Sequence, residues 1–333
     1  MAGGLYRVEP ARVPGAQAAR LADEVRAGLT ARPRWLPSKY FYDDRGGRLF
    51  DAITRLPEYY QTRTEERILA AVAGEVVAHV RPVELVELGS GSGRKTRLLL
   101  AAMAAAGRLE RCLLLDVNAH ALQESTRALA SEFPGLSVHG VEGDFLDDLT
   151  GLGPGGSRLA VFLAGTIGNI HPADVPGFLG RCAGQLEPGD GFLVGLDLVK
   201  DVRRLEAAYD DAAGVTAEFN RNILHVLNDR LGADFDPGAF EHVAFYDAAH
   251  AWIEMRLRAS RAQRVRVPGA GLDLAFAPGD EIRTEISCKY TRESFETLLA
   301  GTGLGLDRWY TDPEALFALA LLGRRATPRG GNR

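Results

Sequence analysis

Residues 83–93 read Val-Glu-Leu-Val-Glu-Leu-Gly-Ser-Gly-Ser-Gly, and the chain runs on through Arg94-Lys95-Thr96 into an apolar helical stretch. A short apolar strand that ends in glycines and turns straight into a helix is the opening of a β-α-β unit. The alternation continues with CLLLDVN (112–118), AHALQESTRALASEF (119–133) and LSVHGVEGDF (136–145). RLAVFLAGTIGN (158–169), PADVPGFLGRCAGQLE (172–187) and GFLVGLDLV (191–199) follow. Five apolar strands separated by amphipathic helices predict an α/β fold around a mostly parallel sheet buried on both faces.

Beyond residue 200 the pattern changes. Residues 201–232 are expected to form one or two helices, broken near Gly214. EHVAFYDA (241–248), AWIEMRLRAS (251–260), QRVRV (263–267), LDLAF (272–276) and EIRTEISCKY (281–290) alternate as strands of one antiparallel sheet. A helix, RESFETLLAGTG (292–303), and two strands, LGLDRWYT (304–311) and LFALALLG (316–323), are expected to complete the first sheet. That makes residues 199–288 an insertion. The expected division is therefore 63–198 with 289–325 as one domain, and 1–62 with 199–288 as the other. The tail TPRGGNR (327–333) is expected to be disordered.

Three cofactor classes use a glycine loop between strand and helix, and spacing separates them. A dinucleotide fingerprint starting at Gly89 requires glycine at position 94, and so does a phosphate loop ending on Lys95-Thr96. Arg94 stands there. What fits is E-x-G-x-G-x-G from Glu87 to Gly93, which resembles the first motif of class I S-adenosyl-L-methionine (SAM) methyltransferases. Asp116, at the end of the second strand, is placed to accept the hydroxyl protons of a ribose. Asp144 and Phe145, after the third, offer a carboxylate for an adenine amino group and a ring to cover the base. Either aspartate alone would more commonly be a helix N-cap; their order behind the loop favours ligand contact.

Composition narrows the field. The 333 residues carry a net charge of −5, with 46% hydrophobic and 25% charged residues, as expected of a globular enzyme rather than a nucleic-acid binder. No apolar run approaches the ~20 residues of a spanning helix, and the first residues lack the apolar core of a secretory signal. Cys112, Cys182 and Cys288 are widely spaced and the seven histidines form no H-x-x-H or H-E-x-x-H cluster, so no disulfide framework and no metal site is expected. The expectation is a cytoplasmic monomer that binds neither membrane nor nucleic acid. Only four of the 39 basic residues are lysine: Lys39, Lys95, Lys200 and Lys289.

The segments LPSKYFYDDRGGRLFDAITRLPEYY (36–60), VELGSGSGRKTRLLL (86–100), GDF (143–145), GTIGN (165–169), DLVKD (197–201) with AAYDDAAGVTAEFN (207–220), and EIRTEISCKY together resemble the histidine-specific SAM-dependent methyltransferase family. The likeness runs in order from about residue 33 to 322. It implies a Rossmann-like methyltransferase domain with a second α+β domain that grips an amino acid. The implied reaction is trimethylation of the α-amino group of L-histidine to hercynine, the first step of ergothioneine biosynthesis, with S-adenosyl-L-homocysteine as by-product. Tyr42, Gly89, Lys95, Asp116, Asp144 and Phe145 are the implied SAM contacts. Tyr59, Asn169, Tyr209, Glu285 and Ser287 are the implied amino-acid contacts, with Phe50, Thr166 and Met255 shaping the pocket. Tyr42 and Tyr59 are the implied catalytic pair, assisting proton loss from the amine to water. Ala164 departs from the pattern, which has glycine there.

The residue chemistry suits that substrate. Asn169 and Tyr209 are neutral donors for a carboxylate, and Glu285 with Ser287 can address the two nitrogens of an imidazole. An indole, as in the tryptophan derivatives that are the rival substrate class, has one N–H and no acceptor, so Glu285 matches it poorly. A nucleic-acid methyltransferase would want a basic face and an N/D-P-P-Y-like segment where GTIGNIHP stands. A protein-arginine enzyme would want paired glutamates in the equivalent region, which are absent.

Overall fold

The computed structural model of the protein describes residues 6–9, 16–91, 93–147, 149, 152–153 and 155–325. Its strands are β1 Tyr6–Glu9, β2 Arg34–Trp35, β3 Glu84–Leu88, β4 Arg111–Asp116, β5 Ser137–Glu142, β6 Arg158–Phe162, β7 Gly191–Asp197, β8 Phe240–Asp247, β9 Trp252–Ala259, β10 Gln263–Val267, β11 Leu272–Phe276, β12 Glu281–Cys288, β13 Leu304–Thr311 and β14 Phe317–Arg324. The helices are α1 Ala16–Thr30, α2 Asp44–Ile53, α3 Tyr60–Val80, α4 Arg94–Ala105, α5 Ala119–Glu132, α6 Val175–Ala183, α7 Val202–Ala207, α8 Val215–Leu231 and α9 Arg292–Leu298. The tail expected to be disordered lies outside the described residues.

The chain divides into two compact units. The first takes the described residues of Met1–Pro10, Gln61–Val199 and Lys289–Arg333. Its eight-stranded sheet has the order β1-β5-β4-β3-β6-β7-β14-β13. Strands β1 and β3–β7 are parallel, and β14 and β13 close one edge antiparallel. Central strands β6 and β7 are buried along their whole length, because helices cover both faces of a parallel sheet. Leu99, Leu100 and Met103 of α4 and Leu122 and Leu129 of α5 pack into this core, each fully buried side chain contributing about 1.5–3 kcal/mol. The strand order reverses between β3 and β6, the switch point where ligands of such sheets bind beyond the strands' carboxyl ends.

The short strand β1 departs from the expected division, which put residues 1–62 wholly in the second domain. It pairs in parallel with β5, from Tyr6 opposite Val138 to Glu9 opposite Val141. The outer edge of β5 carries unpaired backbone groups, and β1 satisfies them.

The second unit comprises the described part of Ala11–Tyr60 together with Lys200–Cys288. Helices α7 and α8 are separated at Gly214, which has φ 74° and caps α8. The expected single antiparallel sheet is two. Strands β12, β9 and β8 pair antiparallel, with β2 added in parallel to β12, while β10 and β11 form their own two-stranded ladder. Strand β9 already has a partner on each side, and β10 and β11 pair only with each other.

Candidate active site

At the end of β3 the backbone takes left-handed conformations at Gly89 (φ 73°), Gly91 (φ 48°) and Gly93 (φ 63°), and Gly93 caps α4. Glycine adopts these at little cost, which is why the motif needs it. Gly89 N–H donates to Leu115 O at 2.8 Å, and Ser125 Oγ donates to Gly91 O at 2.7 Å. Asp116 holds the loop from the neighbouring strand: its carboxylate accepts Gly91 N–H and Asn118 N–H, each at 2.9 Å. The Val117 and Ser90 backbone N–H groups also interact with it. Burial pushes the Asp116 carboxyl above its ordinary range, against the pull of those backbone donors. Ser90 is buried, and its hydroxyl has no hydrogen-bond partner among the described residues.

The loop after β5 brings Asp144 and Phe145 to the same edge. Asp144 Oδ1 accepts Leu146 N–H at 2.9 Å, so the bland turn-forming role is present alongside any ligand contact. Phe145 stacks edge-on against Phe162 at 5.0 Å, and a methyl placed on Gly89 would meet its ring at 3.5 Å. Glu87 is buried beneath the loop with the Thr96 hydroxyl donating to it, and burial pushes its carboxyl up to about 8. Lys95, in the first turn of α4, forms an ion pair with the fully buried Glu65 of α3. After β6, Ala164 (φ 64°) and Gly165 (φ 66°) make a left-handed pair that leads into a 3-10 turn, Thr166–Asn169. The Thr166 hydroxyl donates back to Leu163 O at 2.7 Å, ahead of that turn.

The second unit gathers residues that are far apart in sequence. Tyr42 lies edge-on to Phe50 at 5.6 Å, Phe50 to Tyr59 at 6.1 Å, and Tyr59 to Tyr209 at 6.5 Å. The Tyr209 hydroxyl is hydrogen-bonded to Ser287 Oγ at 2.7 Å. Glu285 stands opposite Met255 and Ser287 opposite Ile253, with no register shift between them, so both face the same side of β12. Tyr42, Phe50, Tyr59, Tyr209, Ser287, Glu285 and Met255 thus form one connected series. Asn169 and Thr166 belong to the first unit, with Gly89, Lys95, Asp116, Asp144 and Phe145.

The family model described as "Histidine-specific methyltransferase, SAM-dependent" matches residues 21–324. The chain belongs to that family. It is 51% identical over 301 residues to the histidine N-alpha-methyltransferase of Mycolicibacterium smegmatis, covering 90% of this chain and 94% of that protein. It is 31% identical over 291 residues to ergothioneine biosynthesis protein 1 of Neurospora crassa, which takes in 82% of this chain and 31% of that longer protein. A solved SAM-dependent methyltransferase from Clostridium acetobutylicum shares the fold at a TM-score of 0.50 and 11% identity, over 85% of this chain and all of the other. The protein is a SAM-dependent methyltransferase with the class I fold.

The family's cofactor suits the first unit's residues. The left-handed glycines expose backbone beside the Phe145 ring, the Asp116 carboxylate stands at the loop, and the Ser90 hydroxyl is buried without a partner among the described residues.

Several residues that shape these regions escaped the sequence reading. Phe219 of α8 lies 5.5 Å from Tyr42 and 6.0 Å from Phe50. His242 Nε2–H donates to Tyr209 O at 2.8 Å, and its Nδ1 accepts from Asn220 Nδ2 at 2.8 Å, the tautomer that satisfies both contacts. Burial pushes the His242 imidazole below its ordinary value and so favours the neutral ring. Thr284 Oγ1 donates to Asn220 Oδ1 at 2.6 Å, completing a polar chain from Tyr209 to β12. An isolated histidine and asparagine carry no spacing signal that could have revealed this. Each of the four lysines has a partner: Lys39 with Glu24, Lys95 with Glu65, Lys200 with the Tyr60 hydroxyl, and Lys289 with Asp197.

Proposed function

We propose that this enzyme methylates the α-amino nitrogen of free L-histidine three times, giving Nα,Nα,Nα-trimethyl-L-histidine (hercynine), the first step of ergothioneine biosynthesis. The observation that carries this is the aromatic series from Tyr42 to Tyr209, ending on Ser287 with Glu285 beside it on β12. SAM, when bound, supplies an electrophilic methyl carbon on a sulfonium. The protein aligns the amine and excludes water, which is most of what an in-line displacement needs. Lys95, Asp116, Asp144 and Phe145 hold the donor.

Ser287, hydrogen-bonded to Tyr209, and Glu285 on the same side of β12 address the two imidazole nitrogens, with Glu285 accepting the ring N–H. Tyr209 is a neutral donor suited to the substrate carboxylate. Asn169 donates its amide to the substrate carboxylate. An α-amino group with a pKa near 8 is mostly protonated at neutral pH, so it must release a proton before each transfer. Tyr42 and Tyr59 accept hydrogen bonds from the amine as that proton leaves to water. The finished product carries a permanent positive charge, which the faces of Tyr42, Phe50 and Tyr59 stabilise by cation–π attraction.

We place the reaction in the cytoplasm, in a monomer that needs neither nucleic acid nor a membrane. The acidic net charge supports a reaction without nucleic acid, and no described helix is long and apolar enough to cross a membrane. The test is incubation with SAM and an equimolar mixture of free amino acids, followed by mass. Histidine gaining three methyl groups, with the others unchanged, is the expected result. Methylated tryptophan would overturn the roles of Glu285 and Ser287, and no product at all would overturn a free amino acid as substrate.

A further inference from the structure

Glu65 has no part in the roles above, yet it is the most enclosed charged group at the switch point of the sheet. Its side chain is fully buried in the second turn of α3. Its carboxylate forms the ion pair with Lys95 of α4, the helix that follows β3. Both of its oxygens lie 2.9 Å from Ala164 N–H, just beyond β6. Strands β3 and β6 are neighbours in the sheet, so one carboxylate bridges the two connections that leave the switch point.

Two further features fit this bridge. Gly195, in the middle of β7, has an ordinary extended conformation, and a methyl there would overlap Glu65 Oε1 and crowd Phe317. Its lack of a side chain makes room for the carboxylate. Ala164 is left-handed, a conformation that costs a residue with a Cβ and needs support from its surroundings. The Ala164 N–H bond to Glu65 is such support, and the turn it fixes leads directly to Thr166 and Asn169.

We propose that Glu65 is a positioning residue for both substrates: it aims the Lys95 ammonium at the cofactor and holds the Ala164–Gly165 turn that presents Asn169 to the amino acid. Lys95 has three N–H donors, and the ion pair takes one, leaving two for the donor molecule's carboxylate. The amino-acid half of this inference rests on the role of Asn169 given under the proposed function, and the cofactor half on the role of Lys95 given there.

The test combines calorimetric titration of S-adenosyl-L-homocysteine with steady-state KM for histidine in Glu65→Gln, Ala164→Gly and the double variant. Glu65→Gln is expected to weaken cofactor-product binding and raise the histidine KM, each about tenfold, from the loss of one charge-assisted hydrogen bond on either side. Glycine needs no support in the left-handed region, so adding Ala164→Gly should return the histidine KM to near wild type while cofactor binding stays weak. A general loss of structure would not separate in this way. Unchanged binding of both molecules in a folded Glu65→Gln protein would overturn the proposal, and so would recovery of both or of neither in the double variant. Glu65→Asp keeps the buried charge and is expected to fall between wild type and Glu65→Gln; it gives the same reading should Glu65→Gln fail to fold. Asn169→Ala serves as control. A normal histidine KM there would remove Asn169 from the substrate and the amino-acid half with it, leaving the cofactor titration to decide the role of Glu65.

Discussion

The carboxyl edge of the first unit's sheet and the aromatic series of the second do different kinds of work. The first is made largely of backbone: left-handed glycines, N–H groups tied to Asp116, and a helix that starts at Gly93. The second is made of side chains, with Tyr42, Phe50, Tyr59, Tyr209 and Ser287 each touching the next. A backbone cradle suits a molecule whose ribose and base present the same groups in every enzyme that binds it. A side-chain wall can be changed residue by residue, which suits the substrate that differs between enzymes. If that division holds, substitution of Asp116 should leave histidine binding unaffected and substitution of Tyr209 or Glu285 should leave the cofactor unaffected, with Glu65 and Asn169 of the first unit the proposed exceptions.

The largest effect is expected at Asp116. Asp116→Asn puts an amide where Gly91 N–H and Asn118 N–H both need an acceptor, costing about 2–3 kcal/mol of cofactor binding. Titration of S-adenosyl-L-homocysteine should show affinity reduced by roughly 30- to 150-fold. The histidine KM at saturating SAM should stay close to wild type, and a large rise in it would break the division.

Glu87 sharpens the comparison through pH, because it lies beneath the backbone cradle. With its carboxyl pushed up to about 8, the native state holds a proton that the unfolded chain, titrating near 4.5, has already released. Stability from this group is therefore complete below about 4.5 and declines as pH rises to about 8. Glu87→Gln cannot titrate, so its melting temperature should fall less than that of wild type across that window. Parallel melting curves for the two proteins from pH 5 to 8 would contradict the assignment of a buried, protonated Glu87.

Tyr209→Phe gives the smallest expected change. It removes one neutral hydrogen bond to Ser287 and should raise the histidine KM by about fivefold, equivalent to roughly 1 kcal/mol. Cofactor-product affinity, measured by titration, should not move.

The two regions also differ in how far the sequence reveals them. The glycine loop, Asp116 and the five parallel strands are contiguous or regularly spaced, so local chemistry and periodicity expose them. The aromatic series joins positions 42, 59, 209 and 287, whose proximity depends on where helices α2, α7 and α8 settle. Only the family resemblance drew those positions together beforehand. Glu65 was hidden for a related reason: Arg63-Thr64-Glu65-Glu66-Arg67 reads as a solvated helix face, and only the approach of β6 and β7 buries one of its carboxylates. Gly195 carries no sign of its purpose, because its backbone is ordinary and the group it accommodates is 130 residues away. Strands β10 and β11 have the same alternation as the sheet strands. Their pairing with each other rather than with the β2-β12-β9-β8 sheet is a long-range choice that no local pattern records.

If side chains of the second unit read an imidazole, the ratio of kcat/KM for histidine to that for tryptophan, measured in wild type and in Glu285→Ala, tests it most directly. The ratio should fall about 10- to 100-fold through loss of activity on histidine, as expected for removing a charged acceptor from a ring N–H, with cofactor-product affinity unchanged. A ratio that survives the substitution would contradict it.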